Sequence, residues 1–223
     1  MKTTILITGT SRGIGKALAL HFLSQGVTVI GSSRKTQSEL AHYLNFFSLK
    51  LDLSNSKSRA TAIQQVQDNF ESIDILINNT GIGPDIDHCT PSEVDLENTL
   101  SVNLTGTILF TEELIGHMTL KGKIINISSK MGSINSCKKS DSTAYRILKA
   151  ALNMYTQILS IRVKKGLVIA AVHPGWVKTS FAPSNIYGRL TPKEAARKIY
   201  DFVWSSFESG VFWDVETNQE IPW

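Results

Sequence analysis

The sequence predicts a doubly wound α/β fold, in which seven parallel strands form one sheet with helices on both faces. Short apolar runs alternate with longer amphipathic stretches, the order expected of repeated strand and helix units. Most of the short runs are apolar throughout, which is typical of parallel strands buried on both faces. No linker, repeat or low-complexity segment interrupts the 223 residues. A single domain over residues 1–223 is therefore expected.

The predicted strands are seven runs of five or six residues. They are Thr3–Thr8, Val27–Ser32, Phe46–Leu51, Ile73–Asn78, Lys123–Ser128, Leu167–Val172 and Val211–Val215. Helices are predicted near residues 13–25, 36–44, 55–70, 92–118, 143–163 and 192–206. Two helix starts are explicit, in Thr90-Pro91-Ser92-Glu93 and Thr191-Pro192-Lys193-Glu194. Each combines an N-cap Thr, a Pro at the first helical position and a Glu that closes a capping box.

Composition limits the classes of function. Lys and Arg number 23 against 19 Asp and Glu, a net charge of +4, but the basic residues are scattered and predict no nucleic-acid partner. Cys89 and Cys137 form neither a CxxC motif nor a metal-ligand spacing, so two free thiols in a reducing cytoplasm are expected. No apolar run approaches the roughly 18 residues of a membrane span, and Ile5-Leu6-Ile7 is too short for a signal peptide. A cytoplasmic location without a membrane partner follows.

A glycine-rich octet, Thr8–Gly15, follows the first predicted strand and opens the first predicted helix. Glycines let the backbone turn tightly and approach a pyrophosphate, and the helix N-terminus supplies free N–H groups and a positive dipole. Turn glycines without a ligand are the alternative, but the strand–turn–helix context is the one that dinucleotide binding requires. The sequence therefore predicts a Rossmann-type site, with cofactor contacts from Gly9, Ser11, Arg12, Gly13, Ile14 and Gly15.

The end of the second predicted strand favours NADPH over NADH. An acidic residue there would bind the ribose 2′-hydroxyl of NAD, but the chain has Ser32-Ser33-Arg34-Lys35 and no carboxylate until Glu39. Arg34, beside Ser33, could pair with a 2′-phosphate, and Arg12 could join it. The alternative is that both arginines are solvated surface residues.

Polar residues also follow the third and fourth predicted strands. Asp52, next to Leu53, could accept a hydrogen bond from an adenine amino group, or it could cap the helix that begins near Ser54. Asn78-Asn79-Thr80-Gly81 closes the fourth strand at the carboxyl edge, where such sheets bind ligands. Asp52, Leu53, Asn79 and Gly81 are therefore candidate cofactor contacts, and a plain turn is the alternative for the last two.

Tyr145 and Lys149 lie four residues apart in a predicted helix, so the phenol and the ammonium share one face. A phenol has a pKa of about 10, and a neighbouring cation lowers it. The pair is therefore a plausible proton donor, although this spacing also arises by chance in surface helices.

Together these residues resemble the classical short-chain dehydrogenase/reductase family, over nearly the whole chain. The resemblance includes Thr8-Gly9-x-x-x-Gly13-x-Gly15, Asn78-Asn79-Thr80-Gly81, Asn103, Ser129, Tyr145-x-x-x-Lys149 and Pro174-Gly175. A finer similarity to the C-factor and sniffer carbonyl-reductase branch lies in residues 127–134, 144–146, 149–154, 173–177 and 220–223. Two departures are Thr80, where the family has Ala, and the sixteen-residue separation of Ser129 from Tyr145, which exceeds the common spacing.

The resemblance implies a catalytic set of Asn103, Ser129, Tyr145 and Lys149. Tyr145 would protonate the carbonyl oxygen and Ser129 would hold it, while Lys149 would bind the nicotinamide ribose and lower the pKa of Tyr145. Asn103 would hold a helix kink and a water that links Lys149 to solvent. Cofactor contacts implied after the sixth strand are Pro174, Gly175, Val177 and Thr179, besides Tyr145 and Lys149 themselves.

Two further side chains, those of Ser128 and His173, have alternative roles. Ser128 could replace Ser129 at the substrate, since adjacent strand residues point to opposite faces and only one can serve; Ser129 is favoured because it precedes Lys130-Met131-Gly132 as in the family. His173 is expected to be a packed, hydrogen-bonded imidazole, with a role as catalytic base as the alternative.

The implied activity is NADP(H)-dependent reduction of a small aldehyde or ketone, or the reverse oxidation. A regulatory dinucleotide-binding protein of the C-factor type and a ketoacyl reductase are the alternatives. Substrate contacts are expected from loops 82–91, 131–142 and 176–191, where Trp176, Phe181 and Tyr187 are either substrate contacts or core.

The resemblance also implies a homodimer or homotetramer formed through the helices near 92–118 and 143–163. The apolar pattern of the second helix leaves core and interface open: Ala144, Leu148, Ala151, Leu152, Tyr155 and Leu159.

Overall fold

One sheet organises the structure, a computed structural model that describes residues 3–35, 39–163 and 166–223. Its strands are β1 (Thr4–Thr8), β2 (Thr28–Ser33), β3 (Phe46–Lys50), β4 (Ile73–Asn78), β5 (Met118–Ile127), β6 (Val168–His173), β7 (Val211–Asp214) and β8 (Gln219–Glu220). Their order across the sheet is β3-β2-β1-β4-β5-β6-β7-β8. The first seven pair in parallel, and β8 pairs antiparallel with β7.

Helices cover both faces of this sheet. They are α1 (Gly13–Ser24), α2 (Ser56–Asn69), α3 (Glu93–Thr99), α4 (Thr107–Ile115), α5 (Thr143–Arg162) and α6 (Pro192–Trp204). A π-helical segment, Leu100–Gly106, joins α3 to α4, and short 3₁₀ turns cover Lys130–Gly132 and Pro183–Tyr187. No helix in the described ranges is long and apolar enough to cross a membrane.

Strand β1 shows why the apolar runs become buried strands. Ile5 and Ile7 face one side of the sheet and pack in a cluster with Phe22 of α1. Leu6 lies between them, faces the other side and packs in a second cluster with Phe110 of α4. All five side chains are fully buried, and each stabilises the fold by about 1.5–3 kcal/mol relative to exposure. The first cluster also includes residues of α6, and the second includes residues of α2 and α5.

The predicted fold class and all seven predicted strands are confirmed, but the sheet and the helix predicted over 92–118 need three corrections. The sheet has an eighth strand, β8, which is too short for a sequence pattern to indicate. Strand β5 begins at Met118, so the predicted helix 92–118 is too long at its end. That helix is also interrupted by the π-helical segment.

The predicted helix 36–44 is wrong over the part that can be compared. Residues 36–38 lie outside the described residues, and residues 39–44 form turns and a bend. Tyr43 N–H donates to the Leu40 carbonyl and Phe46 N–H to the Tyr43 carbonyl, contacts that span only three residues. A segment this short gains too few helical hydrogen bonds to offset the cost of nucleation.

One of the two predicted capping boxes is confirmed. Thr191 accepts from the Glu194 N–H while the Glu194 side chain accepts from the Thr191 N–H, and α6 begins at Pro192. At the other site the N-cap is Ser92 instead of Thr90, because the Ser92 hydroxyl accepts from the Asp95 N–H. Helix α3 therefore begins at Glu93, two residues after the proline.

Helix α5 has a buried apolar face and a second, exposed one. The predicted pattern belongs to the core: its members are buried, apart from the half-buried Ala151. The exposed face carries Ile147, Met154, Ile158 and Ile161, at spacings that place them along one side of the helix. The core and the exposed stripe are therefore distinct surfaces of the same helix.

Candidate active site

The carboxyl ends of β1 and β4 meet at the point where the strand order reverses. The Thr8 hydroxyl accepts from the backbone N–H groups of Asn79 and Thr80, both at 3.0 Å. The Asn79 side-chain amide donates to the carbonyls of Thr8 at 2.9 Å and Gly9 at 3.2 Å. Asn79 therefore fixes the glycine-rich loop against β4, at the crevice where open α/β sheets bind ligands.

The glycine-rich loop fits a dinucleotide phosphate. Gly9 and Gly13 have φ of +78° and +57°, which favour glycine,. A Cβ on Gly15 would lie 2.2 Å from the Gly9 carbonyl oxygen, so α1 packs directly on the loop. Arg12 is the N-cap of α1, and its side chain makes no capping hydrogen bond. The N–H groups of the first turn remain available to an anion.

The two basic residues expected to bind the 2′-phosphate are Arg34, which lies outside the glycine-rich loop, and Arg12, which lies within it. Arg34 follows β2 and is exposed, and the neighbouring Ser33 is buried with its hydroxyl bonded to the Lys35 carbonyl. Arg12 is also exposed, and it donates to the Ser180 hydroxyl at 3.2 Å.

Asp52 does not cap a helix, which is the alternative to its predicted contact with adenine. Asn55, not Asp52, caps α2, which begins at Ser56. One Asp52 oxygen accepts from the Ser54 N–H and hydroxyl, at 3.0 and 2.7 Å. Asp52 therefore shapes the turn after β3, and the following Leu53 is buried against Gly106, where an added Cβ would meet the Leu53 carbonyl oxygen at 2.2 Å.

Asn103 lies inside the π-helical segment, where the resemblance implies a helix kink. Its side chain accepts from the Ile82 N–H at 2.8 Å and donates to the Ile82 carbonyl at 2.6 Å. The extra residue in a π turn re-aims the helix, and such turns are frequent at functional sites. Asn103 thus holds the segment next to Gly81, at the end of β4.

The two adjacent serines after β5 point in different directions. The Ser128 hydroxyl is buried and donates to the side chain of Asn153 at 2.6 Å. The Ser129 hydroxyl accepts from the Met131 N–H at 3.2 Å, and its interaction with the Tyr145 phenol lowers the pKa of that phenol. Ser129 therefore faces the phenol, and Ser128 is turned towards the middle of α5.

Tyr145 and Lys149 lie one turn apart and are both buried. Burial raises the pKa of the Tyr145 phenol, the Ser129 hydrogen bond opposes that shift, and the charge of Asp85 adds to it. The net direction is opposite to the lowering that the lysine alone predicts, because burial outweighs the other contributions. Burial also lowers the pKa of Lys149 to about 8. The Lys149 ammonium lies 5.6 Å from the Tyr145 ring centroid and donates to the Ile127 carbonyl at 2.8 Å.

The segment after β6 returns to the glycine-rich loop. The Thr179 side chain lies 3.6 Å from the Cβ position of Gly13. Pro174, Gly175 and Val177 are buried behind it.

His173 differs in part from its expectation. The imidazole is packed, and burial lowers its pKa to about 4. Its Nδ1 atom is buried and, within the described residues, has no hydrogen-bond partner. A neutral imidazole fits this position, since its protonation would place a charge in a desolvated environment.

A small apolar cluster lies against the phenol. The Phe181 ring packs edge-on to Tyr145, with centroids 5.7 Å apart. Ile86, Met131 and Ala182 complete this cluster. Among the three aromatic residues of loop 176–191, Phe181 therefore lies at the site, while Trp176 and Tyr187 are exposed. Each of the three loops predicted to contact the substrate contributes a side chain to this cluster, which forms an apolar wall beside the phenol.

Comparison with known proteins decides the family. A family model described as short chain dehydrogenase matches residues 3–186. The chain belongs to the short-chain dehydrogenase family. As a member, it is an NAD(P)-dependent oxidoreductase.

This short-chain dehydrogenase is similar to a curated reductase and to two reductases of known structure. The 3-oxoacyl-(acyl-carrier-protein) reductase FabG of Buchnera aphidicola subsp. Schizaphis graminum is 32% identical over 186 residues, which cover 80% of this chain and 75% of the relative. The NADPH-bound carbonyl reductase from chicken fatty liver is 25% identical, with a TM-score of 0.89 over 100% of this chain and 95% of the other. The carbonyl reductase Sniffer of D. melanogaster is 26% identical, with a TM-score of 0.88 over 100% of both chains.

Several residues of this short-chain dehydrogenase site are not indicated by the sequence. The sequence analysis predicts the three loops that contain Ile86, Met131 and Ala182, but no local pattern shows that these particular side chains meet at the phenol. The C-terminal residues also reach the loop after Ser129. Ser133 donates its hydroxyl proton to the Pro222 carbonyl at 2.6 Å, and the Ile134 N–H donates to the Trp223 carbonyl at 2.6 Å. The similarity at residues 220–223 is the signal that could have suggested this contact.

Proposed function

We propose that this chain is an NADPH-dependent carbonyl reductase, which reduces an aldehyde or ketone to an alcohol or catalyses the reverse oxidation. One observation carries the proposal: the hydroxyl of Ser129 and the phenol of Tyr145 meet at the carboxyl edge of the sheet, beside an apolar wall. Lys149 and Asn103 lie in the same region. The whole-chain similarity to two carbonyl reductases adds support.

The chemistry of these residue types agrees with carbonyl reduction. The glycine-rich loop would hold the pyrophosphate of a nicotinamide dinucleotide, which when bound would supply a hydride to the carbonyl carbon. Negative charge then develops on the carbonyl oxygen. The Ser129 hydroxyl stabilises that charge by a hydrogen bond, and Tyr145 donates the proton that completes the alcohol. The Lys149 ammonium, 5.6 Å from the ring centroid, stabilises the phenolate that remains after Tyr145 has donated its proton,.

The raised pKa of Tyr145 affects which direction of the reaction is favoured at a given pH. A phenol that stays protonated at neutral pH is ready to donate a proton, as reduction requires,. Oxidation instead needs the phenolate, which becomes populated as the pH rises. We therefore infer that the reduction rate is sustained through neutral pH and that oxidation gains at alkaline pH.

The substrate is inferred to be a small carbonyl compound with an apolar or aromatic group. Phe181, Ile86, Met131 and Ala182 form an apolar surface next to the phenol. Desolvation of such a surface favours apolar substituents. Lys138 and Lys139 are exposed on the loop that follows, where solvation weakens their attraction for an anionic substrate.

A substrate panel tests the proposed function. NADPH oxidation is followed at its nicotinamide absorbance with aliphatic and aromatic aldehydes, ketones and quinones, and with 3-oxoacyl thioesters. Turnover of simple carbonyls at a higher kcat/KM than thioesters supports the proposal. The opposite ranking favours the second candidate, a ketoacyl reductase, which the FabG relative suggests. Tight NADPH binding without turnover of any compound would overturn both and favour a regulatory protein of the C-factor type.

The preference for NADPH is tested at Arg34. We expect Arg34→Ala to raise the Kd of NADPH by about 10-fold to 100-fold, because a charged hydrogen bond to the 2′-phosphate contributes about 1.5–3 kcal/mol. The Kd of NADH should stay the same, since NADH lacks that phosphate. Both constants can be measured by quenching of protein fluorescence. Arg197→Ala, which removes an exposed arginine on α6, is the matched control. Equal binding of both cofactors, unchanged by Arg34→Ala, would contradict the assignment.

We propose that the chain forms a homodimer or a homotetramer through its long helices. The exposed stripe of α5 and the exposed Leu109 of α4 are on the helices that the resemblance implies. Ile158→Glu should shift the sedimentation equilibrium towards monomer, because it places a charge in a desolvated contact. Leu120→Glu, at an exposed position on β5, should leave the mass unchanged. A monomer in the unmodified protein, or no effect of Ile158→Glu, would refute this interface.

The proposed location is the cytoplasm. Cys89 and Cys137 are exposed and unpaired, as is usual for thiols kept reduced in that compartment.

A further inference from the structure

Helix α5 begins without a side-chain cap of its own. Ser142, at the N-cap position, has a left-handed backbone with φ of 57°, and its side chain makes no capping hydrogen bond. A helix start leaves N–H groups without helical partners, and burying them unpaired is costly. The first turn of α5, which carries Tyr145, therefore needs an acceptor from elsewhere.

Asp85 supplies that acceptor from the loop that follows β4. Its carboxylate is 0% exposed. It accepts from the Ala144 N–H at 2.7 Å and from the Tyr145 N–H at 3.3 and 3.4 Å. A carboxylate at a helix N-terminus interacts favourably with the helix dipole, more so where it is partly or fully buried. Asp85 thus caps the helix of the catalytic tyrosine from a position 59 residues earlier in the chain.

Further bonds join the same two segments. The Ser142 N–H donates to the His88 carbonyl at 2.7 Å, and the Asp87 N–H donates to the Ser142 hydroxyl at 3.2 Å. The Asp87 carboxylate accepts from the Ser184 N–H at 3.2 Å, which reaches loop 176–191. The loop that holds Asp85 is therefore continuous with the apolar wall at the phenol.

We propose that Asp85 is a positioning residue of the carbonyl reduction: it holds the first turn of α5 so that the Tyr145 phenol faces Ser129, and its buried charge acts on that phenol. This inference rests on the function proposed above. Asp85 does not donate or accept the transferred proton, because its oxygens are directed at backbone N–H groups. It acts through Tyr145.

The charge of Asp85 affects Tyr145 in a defined direction. A buried negative charge disfavours a phenolate, and Asp85 accordingly raises the pKa of Tyr145,. Removing the charge lowers that pKa, so the loss of reduction that follows ionisation of the phenol should begin at a lower pH. Lys149, whose pKa burial lowers to about 8, also titrates on the alkaline side, and it does so in both variants compared below. The charged or titratable groups on the surrounding elements lie in four places. They are Asp141 just before α5 with Arg146 and Lys149 on it, Asp87 and His88 in the Asp85 loop, Lys130 after Ser129, and Lys178 and Arg189 in loop 176–191. Arg146 pairs with Asp141 at 2.7 Å.

The test compares Asp85→Asn with Asp87→Asn. The first removes the buried charge and keeps one acceptor oxygen, whereas the second removes an exposed charge from the same loop. For Asp85→Asn we expect kcat for a reducible carbonyl to fall roughly 10-fold or more. We also expect the alkaline limb of its pH profile to move down by roughly 0.5–1 pH unit. The Kd of NADPH should change less than about twofold, and Asp87→Asn should leave the profile unshifted.

The outcomes separate this inference from the proposed function. If Asp85→Asn lowers kcat but leaves the pH profile unshifted, Asp85 is a purely structural cap and the proposal is overturned. The proposal is also overturned if Asp85→Asn changes neither kcat nor the pH profile. Full activity of Tyr145→Phe on the same substrate would instead contradict the proposed function. It would leave unaffected the observation that Asp85 caps α5. Hydrogen exchange in the unmodified protein needs no variant. The amides of Ala144 and Tyr145 should be protected like the interior of α5, and exchange at the rate of a frayed helix end would overturn the cap.

Discussion

Replacing Tyr145 with Phe is expected to lower kcat for carbonyl reduction by about 10³-fold while the Kd of NADPH changes less than about twofold. The variant removes one oxygen, the proton donor, and general acid catalysis contributes roughly 10²–10⁴-fold. The ring itself is kept, so its contact with Phe181 and the packing of α5 are preserved. Single-turnover rates and NADPH titration separate the two effects.

Tyr155→Phe is the matched control for that variant. Tyr155 is a second buried tyrosine on α5, and its hydroxyl donates to Glu112 at 2.9 Å. Losing this hydrogen bond should cost about 1 kcal/mol of unfolding free energy and leave kcat unchanged. Equal activity of Tyr145→Phe and Tyr155→Phe would show that the phenol of Tyr145 is not the acid.

Gly15→Ala should weaken NADPH binding by about 10-fold to 100-fold. The added Cβ would lie 2.2 Å from the Gly9 carbonyl oxygen and 2.4 Å from the Asn79 side-chain nitrogen. Since neither contact is tolerable, the loop must move away from α1, and such overpacking costs about 1–3 kcal/mol. The phosphate cradle and its tie to β4 would both be distorted.

Gly116→Ala controls for the extra methyl group. Gly116 ends α4 with φ of −65°, and a Cβ there would meet nothing within 4 Å. NADPH affinity, measured by fluorescence titration, should be unchanged in this variant. Unchanged affinity in Gly15→Ala as well would exclude the glycine-rich loop as the cofactor site.

Local signals account for the parts of the fold that the sequence predicts. The strands are apolar on both faces, so a run such as Ile5-Leu6-Ile7 indicates a buried strand without knowledge of its partners. The Thr191 cap is equally local, because its geometry depends on residues within one turn. The glycine-rich loop is also predicted from a local pattern, although Asn79, which follows β4, holds it in place. The roles of the candidate site residues stay predictions, although the structure brings Ser129, Tyr145 and Lys149 into one region.

The features that the sequence does not predict depend on distant residues. Strand β8 exists because two residues pair with the edge of β7. Asp85 resembles an ordinary loop carboxylate until the start of α5 is placed against it. The direction of the Tyr145 pKa shift depends on how deeply the phenol is buried, which the spacing to Lys149 does not reveal.

The most direct test of the proposed reaction follows the transferred hydrogen. The protein is incubated with NADPH that carries two deuterium atoms at C4 of the nicotinamide, so that either hydrogen transfers the label, and with an aldehyde that the substrate panel identifies. Mass spectrometry should find deuterium on the alcohol carbon, formed by the unmodified protein and about 10³-fold more slowly by Tyr145→Phe. Bound NADPH without any deuterated alcohol, or label transfer at the same rate in both proteins, would contradict the account.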